Sequence, residues 1–332
     1  MSYTVTNITQ AGTQYDITEV VSSISWGGDI REAARMLEME IAYGRDEYTP
    51  KYIPPLGSVI MLKNDNKELF RGVVWDVRRG TQGTAQVTCF DHAIYLTHNV
   101  STYKFVNMTP EAIITKICND FGIQVGNLAP TGVNLSKLIV RDHTLYDMAV
   151  VALTEATKRN GKKYHLIMRQ GKLNTEEKGQ QLIKWLITEG QNLIEASRSE
   201  SLEDMKNRVV IVGDQDQVLA DLQNADLIKQ YGMLQEYKRE SNIKLGEAQV
   251  MAQNLLAELA KVSQELELTS LGIDEVEAGT SVEVKETLTG ITGQYYVLAD
   301  QHRLQNGIHT MRLVLSLETV VATKEASKDN EQ

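Results

Sequence analysis

Hydrophobic and polar positions alternate with a period of two over much of the chain. Between Gly279 and Leu317, Val282 and Val284 alternate with Ser281, Glu283 and Lys285, and Met311, Leu313, Leu315 and Leu317 alternate with Thr310, Arg312 and Ser316. Such a period buries one face of a strand. Asn306-Gly307 separates the last two strands and supplies the two positive-φ positions of a tight type I′ turn. The stretch therefore predicts a small antiparallel meander. From Pro55 to Asp91 the same landmarks recur in the same order: Gly57 ahead of a valine strand, a polar turn, a Gly-x-aromatic strand at Gly72, a second turn at Gly83 and a final alternating strand. Gly279, Gly293 and Gly307 follow one another at nearly the same spacing, which predicts an internal pseudo-repeat of two related antiparallel β-barrels.

Elsewhere the pattern changes with position. In REAARMLEMEIAYG the composition favours helix, yet Leu37, Met39, Ile41 and Tyr43 alternate with polar neighbours, and burial of one face outweighs propensity, so a strand is expected from about Arg35. Pro50, Pro54 and Pro55 then break the chain. Thr109-Pro110-Glu111 ahead of Ile113, Ile114, Ile117 and Phe121, with Gly122 as a stop, predicts a capped amphipathic helix. A second helix runs from Thr144 to Asn160-Gly161, and a hairpin turns at Gln170-Gly171. Val209 to Val212 read as a central strand that opens the second barrel, followed by Val218 to Leu222. A helical stretch bearing Ala248, Met251, Leu255, Leu256 and Leu259 interrupts that barrel. The expected fold class is α+β. Its parts are a first barrel over 1–100, an α+β insertion over 101–200, a second barrel over 201–225 and 265–321, a helical excursion over 226–264 and a polar, disordered tail over 322–332.

Composition narrows the functions open to such a chain. With 332 residues, 42% of them hydrophobic, it can fill two or three cores. No apolar run approaches the ~18 residues of a membrane helix and the start lacks a leader pattern, so the chain is expected to be cytoplasmic when made and to need no membrane. A net charge of −10 argues against direct nucleic-acid binding. Cys89 and Cys118 read as small core residues. The six histidines show no metal-ligand spacing, and His309 reads as a satisfied surface or interface side chain. No nucleophile elbow, phosphate loop or dinucleotide fingerprint is present. Glu203 and Asp204 are adjacent and point to opposite sides, unlike a carboxylate pair flanking a cleft. Trp26, Trp75 and Trp185 are isolated and read as core or interface. No catalytic residue, metal or cofactor is expected.

The segments LFRGVVWDV after GSVIML, SLEDMKNRVVIVG, YGMLQEYKRE ahead of an Ala/Leu helix, AGTSVEV, and the closing YYVLADQHRLQNGIHTMRLVLSL together resemble a known family over nearly the whole chain. It is similar to the baseplate hub proteins of contractile phage tails, in particular the PBSX-type prophage and tailocin hubs. Gly57, Gly72, Asn207, Arg208, Val209, Gly213, Gly279, Gly293, Gly307 and His309 mark the resemblance as structural signature positions. The resemblance implies a non-enzymatic homotrimer, a ring of three copies and six similar barrels around a channel, which adapts a six-fold tail tube to a three-fold spike. The implied partners are further copies, the tail tube protein, the spike protein and other baseplate proteins. The implied location is the bacterial cytoplasm during assembly and then the tail or tailocin particle. Acidic side chains, if they line that channel, would repel a passing polyanion, but the sequence does not place them there. Two alternatives are a tail-associated peptidoglycan hydrolase and the spike trunk of a contractile secretion system, whose chains continue into a needle where this one ends about ten residues after its last strand.

Overall fold

The computed structural model describes residues 3–44, 51–179, 184–241 and 243–325. Antiparallel strands dominate, with a few helices, so the fold is α+β. The chain divides into two compact units, Met1–Ala196 with Glu267–Gln332, and Ser197–Leu266.

The first seven strands are β1 (Tyr3–Ile8), β2 (Gln14–Asp16), β3 (Val21–Asp29), β4 (Met36–Ala42), β5 (Val59–Asn64), β6 (Lys67–Arg79) and β7 (Thr84–Phe90). The alternating stretch after Arg35 is indeed a strand: Leu37, Met39 and Ile41 are buried and Glu38 faces outward. One core takes Val5, Ile24, Leu37, Ile60, Phe70 and Val87 from six of these strands, so the sheet folds back on itself. The α+β part follows, with α1 (Ile94–His98), β8 (Val100–Met108), α2 (Pro110–Asp120), β9 (Val125–Leu128), β10 (Leu135–Thr144), α3 (Leu145–Asn160), β11 (Lys163–Arg169) and β12 (Lys172–Lys178). Its helix ends lie where capping chemistry places them. Thr109 and Thr144 accept from the amides of Ala112 and Asp147, and Gly161 ends α3 at φ 72°. The Gln170-Gly171 turn joins β11 and β12 with positive φ at both residues.

β13 (Trp185–Thr188) and β14 (Leu193–Ser201), expected in the insertion, belong instead to the large sheet. The second unit then holds β15 (Arg208–Val212), β16 (Val218–Gln223), α4 (Ala225–Tyr231), β17 (Gln235–Arg239) and α5 (Leu245–Leu259). β15 pairs with β16 and β17, not with the closing meander, and Ala248 and Ala252 of α5 pack on Val209 and Ile211. Residues 201–225 therefore do not open a second barrel. A period of two identifies the buried face of a strand but not its neighbour. The chain returns through β18 (Ser263–Leu271), β19 (Ser281–Lys285), β20 (Thr292–Gln305) and β21 (Ile308–Ser316). Leu317 falls past the strand and is 65% exposed. Residues 322–325, expected to be disordered, dock on α3: Lys324 donates its amide to Thr154 Oγ1 at 3.2 Å and pairs with Asp147 at 3.1 Å. The rest of that tail lies outside the described residues.

The repeat is present in the connectivity as well as in the meander. The strand orders are β3-β4-β7-β6-β5 and β14-β18-β21-β20-β19: two strands followed by a three-strand meander in each case. Gly57 donates to Val74 O at 2.9 Å and Val74 donates back to Ser58 O at 2.8 Å; Gly279 and Val297 with Thr280 repeat the pattern at 2.8 and 2.9 Å. In both sheets the register slips directly afterwards, between Val74 and Asp76 and between Val297 and Ala299. A β-bulge at the same place in both is a shared construction. Gly72 and Gly293 are not equivalent, because Gly72 lies opposite Ile60 whereas Gly293 lies opposite Val284, two positions past Val282.

Candidate functional site

The two repeats meet along β3 and β20, in seven antiparallel pairs from Ala299 with Asp29 to Gln305 with Ser23. Gly27 makes this approach possible, since a Cβ there would lie 2.1 Å from the carbonyl oxygen of Asp300. Below the seam, Arg35 Nη1 and Nη2 donate to the two carboxylate oxygens of Asp300 at 2.8 and 2.6 Å, and Ala278 donates its amide to Oδ1 at 2.7 Å. The Asp300 side chain is fully buried and that of Arg35 is 13% exposed. Burial opposes the Arg35 charge, but Asp300 outweighs it and holds the guanidinium above its usual range. Burial likewise disfavours the Glu277 carboxylate, yet the hydrogen bond from Arg169 (2.8 Å) and the charges of Arg35, Arg169 and Lys178 bring it down to about 2.

Beside the ion pair runs a chain of neutral rings. His302 Nε2 lies 2.8 Å from the carbonyl oxygen of Val276, which can only accept, so that nitrogen carries the proton. His302 Nδ1 then accepts from His309 Nε2 at 2.9 Å, and His309 Nδ1 stands 2.8 Å from the Tyr3 hydroxyl, itself 3.0 Å from Asp274. Trp26 stacks on His302 with ring centroids 5.1 Å apart. Burial lowers the pKa of both histidines, that of His309 to about 4 with help from His302. The His309 side chain, 7% exposed, is thus part of the joint, the interface role and not the surface one of the two that the sequence left open.

The opposite face of the joined sheet is polar and hollow. Ser23 and Ser25 on β3, Glu38 and Glu40 on β4, Gln86 and Thr88 on β7, Gln301 and Arg303 on β20, and Thr310 and Arg312 on β21 line a cavity of about 510 Å³. These are the outward members of strands whose other members fill the core. This face is of mixed charge: it carries Glu38 and Glu40 together with Arg303 and Arg312, the latter tied to Glu267. Short hydroxyl and amide side chains together with two acids and two arginines give a wetted surface of mixed charge.

The signature positions fall into two groups. Gly57, Gly72, Gly279, Gly293, Gly307 and His309 belong to the two meanders of the first unit, with Asn306 and Gly307 at φ 51° and 76° in the expected turn. Asn207, Arg208, Val209 and Gly213 lie in the second unit. Asn207 is buried and clamps the end of α4, donating to Gly232 O at 2.7 Å and accepting from the Leu234 amide at 2.8 Å. Arg208 pairs with Asp221 at 2.6 Å on the surface, Val209 is core, and Gly213 donates its amide to Gln217 O at 3.0 Å across the turn. Glu203 and Asp204 are exposed in a turn. Among the described residues no three His, Cys, Asp or Glu side chains are grouped to hold a metal ion. Sequence reasoning missed Arg35 and Asp300. The available signal was Asp300 itself, a charge at a buried position of the strand YYVLADQH.

Comparison with known proteins agrees with this architecture. The chain is 30% identical over 299 residues to the phage-like element PBSX protein XkdQ of Bacillus subtilis, covering 89% of this chain and 91% of XkdQ. Its fold matches that of the 43 kDa tail protein of prophage MuSo2 from Shewanella oneidensis, with a TM-score of 0.71, 15% identity and coverage of 94% of this chain and 97% of that one. A tail protein from Neisseria meningitidis matches with a TM-score of 0.68, 17% identity and coverage of 95% and 96%. The YQBQ-like family pattern spans residues 24–316, and the chain belongs to that family of phage-like proteins.

Proposed function

We propose that this chain is the baseplate hub of a contractile tail, a homotrimeric ring in which three copies present six similar sheets to a six-fold tail tube while keeping three-fold symmetry toward a spike. One observation carries the reading: five strands recur in the same order with the same bulge, and the two sets are joined edge to edge by β3 and β20. A duplicated unit inside a trimer supplies six near-equivalent positions from three chains, and closed rings are a common outcome of repeated contacts. The mixed, wetted face over β20, β3 and β4 suits the inside of such a ring, where passing material must not adhere. Its work is done through protein interfaces and not through catalysis.

Native mass spectrometry across concentration, alone and with the tail tube and spike proteins, tests the proposal. A trimer, alone or assembled by the spike, is the expected result. A strict monomer indifferent to both partners would refute it. Release of peptidoglycan fragments by the purified chain, lost on replacing Glu203 or Asp204, would instead establish a hydrolase.

A further inference from the structure

We propose that neighbouring subunits join head to tail by strand pairing, the free edge of β14 in one copy adding to the free edge of β6 in the next. This interface rests on the hub reading above, and the seam inside the chain is its precedent. β20 pairs with β19 through Tyr296 and then runs on, so that Ala299–Gln305 are free to cover β3. Its counterpart β6 has the same overhang. It pairs with β5 through Val73, and from Trp75 to Arg79 only β7 pairs with it among the described residues, while the Trp75 ring packs edge-on against Tyr95 and His98 of α1. The counterpart of β3 is β14, the end strand of the sheet, whose outer edge has no partner among the described residues. Each chain therefore holds one completed junction and the two halves of a second.

Both edges have the character of unfinished contacts. β14 is exposed along nearly its whole length, with Ile194 56% exposed, and a bare edge strand is an open template for another chain. The β6 overhang presents Trp75, 37% exposed, with Arg78 and Arg79 against a single Asp76. β14 presents Glu195 and Glu200 against a single Arg198, so the two edges are of opposite net charge. The Gly80 amide donates to Thr84 O on the β7 side at 2.9 Å, and strand alternation turns the Arg79 amide to the free edge. A second copy is the occupant that fits, because its β14 stands to this β6 as the chain's own β3 stands to β20. The contact is heterologous, so its repetition closes a ring or continues as a filament.

Sedimentation and native mass spectrometry of the full chain, of Arg79→Pro, of Ile194→Lys and of an equimolar mixture of the two variants provide the test. Arg79→Pro removes a donor from the free edge and no bond to β7; Ile194→Lys charges the other edge. With melting unchanged, each variant is expected to shift assembly to at least about tenfold higher concentration. The mixture is expected to give a one-to-one dimer and no ring, since the two chains together retain one sound junction. Hydrogen exchange of the unaltered protein, which needs no variant, should show the β6 peptide through Val77 and Arg79 gaining protection on assembly. A trimer that both variants form equally well, without that protection, would overturn the interface and leave the hub reading standing. An unaltered chain that stays monomeric with tube and spike proteins would overturn both.

Discussion

Replacing Asp300 by Asn keeps the shape of the side chain and removes its charge. In the native seam the carboxylate receives two charge-assisted hydrogen bonds from Arg35 and one from the Ala278 amide, with no solvent exposure. Asn retains one acceptor oxygen and turns an NH2 group toward a guanidinium that also can only donate. Arg35 is then left charged and almost fully buried. Breaking a buried pair in this way costs about 3–5 kcal/mol, and because Glu277 and Asp91 also act on Arg35, a loss of about 3 kcal/mol is expected. Chemical denaturation followed by tryptophan fluorescence would read the loss, and hydrogen exchange should localise it to β3 and β20. The double replacement Arg35→Met with Asp300→Leu should recover part of the stability, since it removes the unpaired charge as well but leaves the Ala278 amide without its acceptor. A loss below about 1 kcal/mol for Asp300→Asn, the range of exposed pairs, would refute a dry seam.

The histidines give a pH signature. His165, His302 and His309 are all buried with lowered pKa values, His165 to about 3 through burial and the nearby Lys178, and His309 to about 4. Below the ordinary imidazole value near 6.5 the unfolded chain binds protons that the folded chain refuses, so this stabilisation is full above that pH and falls as the solution is acidified toward pH 4. Asp91 works against them, since burial pushes its carboxyl up to about 7 and the folded chain there takes up a proton that the unfolded chain refuses. With three histidines against that one carboxyl, denaturation midpoints should still drop below about pH 6.5, and His165→Gln should reduce the slope. Gly27→Ala should open the seam, detected as faster exchange of β20 amides, because its Cβ has no room against the Asp300 carbonyl. Asn207→Ala should destabilise the second unit by about 2 kcal/mol in thermal or urea unfolding, leaving the Gly232 carbonyl and Leu234 amide without their side-chain partner. Arg208→Ala, whose ion pair lies on the surface, should have little effect in the same assay.

Local signals in the sequence were faithful to local structure. The strand at Leu37, the caps at Thr109 and Thr144 and the turns at Gln170-Gly171 and Asn306-Gly307 are all settled by neighbours a few residues apart. The repeat of Gly57 and Gly279 was legible for the same reason, since a positive-φ glycine before a strand is a local requirement. Pairing partners were not legible. Nothing around Trp26 indicates that it lies opposite His302, and Val209 to Val212 look the same whether the neighbouring strand is β17 or β18. β14, the first strand of the second repeat, was not legible as such, because residues 202–262 are inserted between it and β18 where β3 and β4 have a short turn. Arg35 was hidden by its surroundings: a charged residue beside Glu and Ala reads as solvent-facing until its partner, far along the chain, is known.

β20 is also a member that carries load across the seam. Its 14 residues serve two sheets in turn, the first few bonded to β19 and the last seven to β3. A pull along the strand is carried from one half of the molecule to the other by covalent bonds. It leaves that strand only by shearing a row of backbone hydrogen bonds together, because those bonds lie across the direction of force. The joint acts as a tie rod: stiff in tension and small in cross-section, it lets the two halves keep their geometry under a load that would peel apart sheets merely pressed face to face.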